Sequence, residues 1–303
     1  MSAKDFSFLI VAGGSGSRIG GLEKQFRVIG GGEGDEKPVW RWSVDLALSA
    51  REWGVREIVL VLPRTRGVRE EDFCFSSCPL PVRLAAGGTA RSDSVRSGLK
   101  AAGCGYIMVH DAARPFASAS LLRRLMEATT PEIGAVPVLP VAEAIKRIDG
   151  NGVRAVDREN LYATQTPQSF FRETLIRVLE SPGSETLVGS GSAPLFKDEA
   201  EAWLAAGLEL RCVEGERLNF KVTWPEDLKL ASLLAAERER EKTKEKPKEK
   251  PMENTEQDSP EGGVWGGLPP LSRGLGPTAP EIRTGFGYDL HRLTPERRLV
   301  LGG

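Results

Sequence analysis

Only two histidines and four cysteines occur in 303 residues, and the cysteines at 74, 78, 104 and 212 follow no repeating spacing. That excludes a disulfide framework, and the pair in "CFSSC" lacks the second pair a zinc site would need. Reduced thiols in a cytoplasmic protein are expected. Charge of one sign is also lacking: the formal net charge is -1, with no basic excess of the kind a nucleic-acid surface requires. No apolar run approaches the length of a membrane span, and "MSAKDFSFLIVAGG" enters a glycine-rich loop too soon to be an export signal. With two histidines, His110 and His291, there is little material for a nucleophile–base triad.

What is present is alternation. "FSFLIVA", "EIVLVLP", "VRLAAGG", "YIMVHDA", "IGAVPVL" and "LRCVEG" read as strands, most of them apolar enough to be buried on both faces. Between them "VWRWSVDLALSA", "RSDSVRSGLKAAG", "SLLRRLMEATT" and "KDEAEAWLAAG" carry helical spacing. The expected fold is α/β, a doubly wound and mainly parallel sheet of the Rossmann-like kind, within residues 1–236. One stretch departs from the alternation. "EAIKRIDGNGVRAVDREN", residues 143–160, places two short strand-like arms around Gly150-Asn151-Gly152, a hairpin signal. It is too polar for the core and is expected to project as an arm, over a site or around a partner subunit. Residues 237–281, rich in Lys, Glu, Pro and Gly, are expected to be a disordered linker, and residues 282–303 begin another strand.

Four segments suggest chemistry. In "LIVAGGSGSRIGGLEKQF" a strand feeds a loop of small residues, but no Gly-Lys-Ser/Thr follows. Ile19 stands where the dinucleotide fingerprint needs its third glycine. Backbone N–H groups in such a loop can approach an anion, and Arg18 and Lys24 add two cations suited to a triphosphate. In "AAGGTARSDSVRSGL", Gly87 and Gly88 close a strand, and Ser92 or Ser94 can cap the next helix. In "YIMVHDAARPF", Asp111 at a strand's carboxyl end is placed to hold a Mg²⁺ carried by phosphates, and Arg114 can pair with a phosphate or carboxylate. His110 points to the other side of the pleat and is expected to be buried or orienting. Arg158 and Lys221 lie downstream in "VDRENLYATQTPQSF" and "LNFKVTWPEDL".

In this order, "AGGSGSRIGGLEKQF", "GGTARSDSV", "HDAARPF", "VDRENLYATQTPQSF" and "NFKVTWPEDL" resemble the 2-C-methyl-D-erythritol 4-phosphate cytidylyltransferase family. The resemblance implies transfer of CMP from CTP to a small phosphorylated polyol, methylerythritol phosphate, with release of pyrophosphate and with Mg²⁺. It implies a homodimer that exchanges the hairpin arm. By position, Arg18, Lys24, Arg158 and Lys221 would be catalytic, and Ala12, Gly13, Gly14, Gly16, Gly88, Ser94, Asp111 and Arg114 would bind nucleotide. Glu23 stands where the family usually has Pro, Ala144 where it usually has Thr, and Lys197 where it usually has a hydroxyl residue. These departures imply altered substrate contacts, with every principal cation retained. A sugar-1-phosphate or CMP-sugar nucleotidyltransferase is the neighbouring alternative, and a nucleotide-binding regulatory protein is the alternative of a different class.

The tail "TGFGYDLHRLTPERRLVLGG" sets Asp289 and His291 two residues apart, on one face of a strand, as a divalent metal such as Zn²⁺ would require. It resembles the opening of 2-C-methyl-D-erythritol 2,4-cyclodiphosphate synthase, which implies a bifunctional fusion whose second domain is cut away. About 20 residues cannot bury a core, so cyclase activity from this chain alone is not expected.

Overall fold

The computed structural model describes residues 4–13, 24–30, 36–63, 77–150, 152–181, 185–188, 191–194 and 196–245. The expectations placed on Gly14, Gly16, Arg18, Glu23, Asp289 and His291 lie outside these residues, as does the stretch from 246 onward.

In chain order the strands are β1 (Phe6–Val11), β2 (Val28–Ile29), β3 (Lys37–Pro38), β4 (Val55–Leu62), β5 (Val82–Ala86), β6 (Tyr106–Asp111) and β7 (Ile133–Pro140). They continue with β8 (Lys146–Asp149), β9 (Gly152–Ala155), β10 (Tyr162–Thr164), β11 (Gln168–Phe171), β12 (Glu185–Val188), β13 (Gly191–Pro194) and β14 (Glu209–Glu214). The helices are α1 (Val39–Ser49), α2 (Arg91–Ala101), α3 (Ala119–Ala128), α4 (Arg172–Glu180), α5 (Glu199–Ala205) and α6 (Pro225–Glu245). None of them is long and apolar enough to cross a membrane.

Eight strands form one sheet in the order β10-β7-β11-β6-β1-β4-β5, with β14 also on β7. The pairs β1·β4, β1·β6, β4·β5 and β7·β14 are parallel, while β11 runs antiparallel to β6 and β7. The sheet is mainly parallel, as expected from the alternation. From β1 the chain builds outward through β4 to β5 and then returns to place β6 on the other side of β1. Such a reversal opens a crevice outside the carboxyl ends of the strands.

Strands β1, β4 and β6 each serve two cores because successive side chains point to opposite faces. Phe6, Phe8 and Ile10 of β1 pack with Val44 and Ala47 of α1 and with Leu121 and Leu125 of α3. Leu9 of β1 and Val59 and Val61 of β4 face Val95 and Leu99 of α2, Leu175 of α4 and Trp203 of α5. Burial on both faces explains the near-continuous apolar runs. Gly98 lets α2 lie close on the sheet: a Cβ there would fall 2.1 Å from Leu9 Cδ1. A third cluster joins Trp42 and Phe116 to Val222 and to Ala231 and Ala235 of α6.

The hairpin forms, with β8 and β9 antiparallel and Ile148 opposite Val153. Every residue of both arms is exposed, so nothing in the described core holds them. Helix α6 continues into the stretch expected to be linker, as far as Glu245. Glu, Lys, Arg and Ala are good helix formers, and no proline interrupts them until Pro247. Helix α4 and strand β11 have no counterpart among the expected elements, because "TQTPQSF" reads as a motif and the four-residue strand is too short to show a period.

Candidate active site at the carboxyl edge of the sheet

Three chain segments converge at the reversal point. Strand β1 leads into Ala12 and Gly13, held by Ala12 N–H donating to Val61 O at 2.9 Å. Strand β5 leads into Gly87, whose N–H donates to Leu62 O at 2.7 Å. A Cβ on Gly13 would sit 3.1 Å from Ser94 Oγ and 3.4 Å from Gly87 Cα, so the two loops and the first turn of α2 touch. Ser94 is buried; its Oγ accepts from Gly88 N–H at 3.1 Å and donates to Ala90 O at 3.2 Å. Asp93 Oδ2 accepts from Ala90 N–H at 3.0 Å and caps the helix. Lys24 lies in a single 3₁₀ turn, Lys24–Phe26, and Gln25 Nε2 ties this turn to Ala12 O at 2.7 Å. The backbone of Lys24 is thereby held beside the end of β1.

Asp111 closes β6 as the last strand residue. Its Oδ1 accepts from Arg91 Nε at 3.0 Å and its Oδ2 from Lys221 Nζ at 2.6 Å. Its N–H donates to Thr166 Oγ1 at 3.0 Å. Burial would raise this carboxyl, but the charges of Arg91 and Lys221 outweigh burial and hold it far below the usual carboxylate range. Arg91 also donates through both Nη groups to Glu199, at 2.7 and 3.0 Å. Although burial disfavours its charge, the Glu199 and Asp111 carboxylates push the guanidinium pKa up further.

Arg114 Nη1 donates to Asn219 O at 2.8 Å, while its buried Nε has no partner among the described residues. Burial lowers its pKa, opposed by Asp111. Asn219 is itself fully buried, with Nδ2 on Thr166 O at 2.9 Å, and it fixes the segment that delivers Lys221. His110 is fully buried between Thr166 Oγ1 at 3.2 Å and Arg114 O at 3.0 Å. A carbonyl only accepts, so Nε2 carries the proton toward Arg114 and the Thr166 hydroxyl donates to Nδ1. Burial pulls its pKa down to about 4. His110 is thus a neutral spacer beneath the site.

Of the residues singled out from sequence, Ala12, Gly13, Gly88, Ser94, Lys24, Asp111, Arg114 and Lys221 meet at this edge. Arg158 does not join them here: it is exposed, donates to Ala142 O, and lines an open hollow of about 560 Å³ with Pro140, Asp157 and Arg217. Sequence reasoning missed Arg91, Glu199, Thr166 and Asn219. All four sit inside or beside motifs quoted above, but only the fold shows that they touch Asp111 or its supports.

No three His, Cys, Asp or Glu side chains among the described residues come together as a metal cage. Asp111 is a single ionised carboxylate with one protein hydrogen bond on each oxygen, which leaves lone pairs for a cation whose other ligands are phosphate oxygens. The donor set fits a Mg²⁺ that arrives with a nucleotide.

The curated "Bifunctional enzyme IspD/IspF" of Anaeromyxobacter dehalogenans is 35% identical over 97% of this chain, and the chain spans 62% of that relative's length. The "2-C-methyl-D-erythritol 4-phosphate cytidylyltransferase" of Halalkalibacterium halodurans is 32% identical over 78% of this chain and 99% of its own. The crystal structure of the enzyme of that name from Thermus thermophilus superposes with a TM-score of 0.59 at 32% identity, covering 76% of this chain and 98% of the other. The family model "IspD: 2-C-methyl-D-erythritol 4-phosphate cytidylyltransferase" matches residues 6–237, the whole of the sheet and its helices up to the middle of α6, and the chain belongs to that family.

Proposed function

We propose that this chain transfers CMP from CTP to 2-C-methyl-D-erythritol 4-phosphate and releases pyrophosphate. The observation that carries the proposal is the Lys221–Asp111 contact of 2.6 Å at the sheet reversal, beside the β1 and β5 loops, in a member of this family. The cluster sets three cations, Arg91, Arg114 and Lys221, against two carboxylates, Asp111 and Glu199. Its excess is positive and its exposed member is Lys221, two-fifths open to solvent.

A phosphate acceptor is already a nucleophile at neutral pH, so the task is alignment and charge stabilisation. In this reading an acceptor phosphate oxygen forms a bond to the α-phosphorus of CTP, and the bond to the departing pyrophosphate breaks. Lys221 and Arg158 hold the acceptor phosphate, Arg18 and Lys24 offset charge on the triphosphate, and Ala12 to Gly16, Gly88, Ser94 and Arg114 receive the nucleotide. Asp111 would hold Mg²⁺, which when bound neutralises phosphate charge. Arg158, on an exposed arm, is assigned to the partner-facing side of a homodimer built through the hairpin. Ile148 and Val153, 77% and 65% exposed, support that assembly. The described cysteines Cys78, Cys104 and Cys212 are free thiols, in keeping with a cytoplasmic setting.

The match to the bifunctional relative takes in 97% of the chain and so runs past residue 237. It supports reading residues 282–303, with Asp289 and His291, as the opening of a second, metal-dependent synthase module in the parent protein, for which Zn²⁺ or another divalent metal is the proposed cofactor.

The test is pyrophosphate release with CTP against the other nucleoside triphosphates, with and without methylerythritol phosphate. Release that needs CTP and the polyol phosphate together is expected. Equal release with a sugar 1-phosphate would move the chain to a different nucleotidyltransferase.

A further inference from the structure

Arg91 and Glu199 have no role in the reaction above, yet they join Asp111 and Lys221 in a line of alternating charge. Glu199, 2% exposed at the start of α5, takes both Nη groups of Arg91 at 2.7 and 3.0 Å. End-on engagement of the planar guanidinium leaves only its side edge, and there Nε meets Asp111 Oδ1 at 3.0 Å. The line ends at Lys221 Nζ, 2.6 Å from Asp111 Oδ2, and this last member alone is substantially open to solvent.

We infer that Arg91 and Glu199 are positioning residues that set how tightly Asp111 holds Lys221, and so how much of the Lys221 charge is offered to an incoming phosphate. The inference rests on the cytidylyl-transfer reading for its consequence, though its geometry does not. Asp111 divides one negative charge between Arg91 and Lys221, and Arg91 divides one positive charge between Asp111 and Glu199. Neutralising Glu199 concentrates Arg91 on Asp111, which loosens Lys221. Removing both Arg91 and Glu199 leaves Asp111 to Lys221 and to Arg114, whose charge also acts on it, and tightens the grip. A pair that only stabilised the fold would not move Lys221 in opposite directions.

The experiment compares Glu199→Gln and the double variant Arg91→Met/Glu199→Gln with the unsubstituted full chain. Removing both partners leaves no unpaired buried charge between them, so the double variant should fold. The first readout is the rate at which limiting reductive methylation labels Lys221, followed by mass spectrometry of its peptide. For an ion pair this exposed, labelling should be about threefold faster in Glu199→Gln and about threefold slower in the double variant. The second readout is the KM for methylerythritol phosphate, which should fall in the first and rise in the second while the KM for CTP stays within about twofold. Unchanged or same-direction labelling in the two folded variants overturns the inference. Should the double variant not fold, equal or slower labelling in Glu199→Gln overturns it alone. Absence of pyrophosphate release from the unsubstituted chain would defeat the proposed function, and the labelling rates would still decide the inference.

Discussion

Lys221 Nζ stands 2.6 Å from Asp111 Oδ2 although 110 residues separate them in the chain. The backbone makes the contact possible: Val222 N–H donates to Ala113 O at 2.8 Å, stapling the late segment to the turn that follows β6. Asp111 therefore joins the two ends of the site. Asp111→Asn should lower stability by about 3 kcal/mol, because it leaves two cations without their shared counter-charge. Urea unfolding checks the stability, and pyrophosphate release should fall with it. A variant as stable and as active as the unsubstituted chain would remove Asp111 from the centre of the site.

Lys24 lies in a 3₁₀ turn that Gln25 anchors to Ala12 O. Lys24→Ala should fold with an unchanged circular dichroism spectrum and lose about 10²–10³ in turnover, by analogy with a lost charge-stabilising donor. Near-normal turnover would remove it from the catalytic set.

Gly88 has no room for a side chain, since a Cβ there would lie 2.1 Å from Asp93 Cβ in the first turn of α2. Gly88→Ala should destabilise by about 1–3 kcal/mol through overpacking and raise the KM for CTP more than that for the acceptor. Gly150→Ala is the control: a Cβ at that hairpin position meets nothing within 4 Å. Its stability should stay within about 0.5 kcal/mol of the unsubstituted chain.

His110 supplies a pH dependence whose sign is fixed by burial. Its folded pKa is depressed from 6.5 to about 4, so the unfolded chain binds the proton first as pH falls. Stability is full above pH 6.5 and drains between 6.5 and 4, by about 3 kcal/mol in all. Below that window Asp111, whose folded pKa is also depressed, begins to withdraw its own contribution. Urea midpoints taken from pH 7.5 down to 4.5 should show the first decline, and His110→Gln should flatten it. An equal slope in that variant would assign the decline to other groups.

Ile148 and Val153 face each other across the hairpin, 77% and 65% exposed. If the arm embraces a second subunit, Ile148→Glu/Val153→Glu should turn a dimer into a monomer in sedimentation equilibrium. The charged pair would leave the fold intact, because neither residue touches the core. A dimer that survives the substitutions would mean the arm is not the interface.

The six strands β1, β4, β5, β6, β7 and β14 were legible as apolar runs, and in β1, β4 and β6 burial on two faces leaves few polar positions to blur them. Helix α2 was legible from the helical spacing of its sequence and Gly88 from the close approach of three segments, but the cap is made by Asp93 and not by Ser92 or Ser94, which lie inside the helix. Helix α4 and strand β11 were not, and neither was the continuation of α6 to Glu245, where helix-forming charged residues look the same in a linker as in a helix.

Period, turn chemistry and ordered motifs carry the layered α/β architecture, the hairpin and the choice of Lys24, Arg114 and Lys221, but not of Arg91. Which carboxylates the cations meet is set by the fold. Arg91 and Glu199 are 108 positions apart and Asp111 and Lys221 are 110, and no local preference encodes such pairs. They come together because the chain reverses direction about β1 and brings separate strand ends, helix starts and a late returning segment to one edge of the sheet.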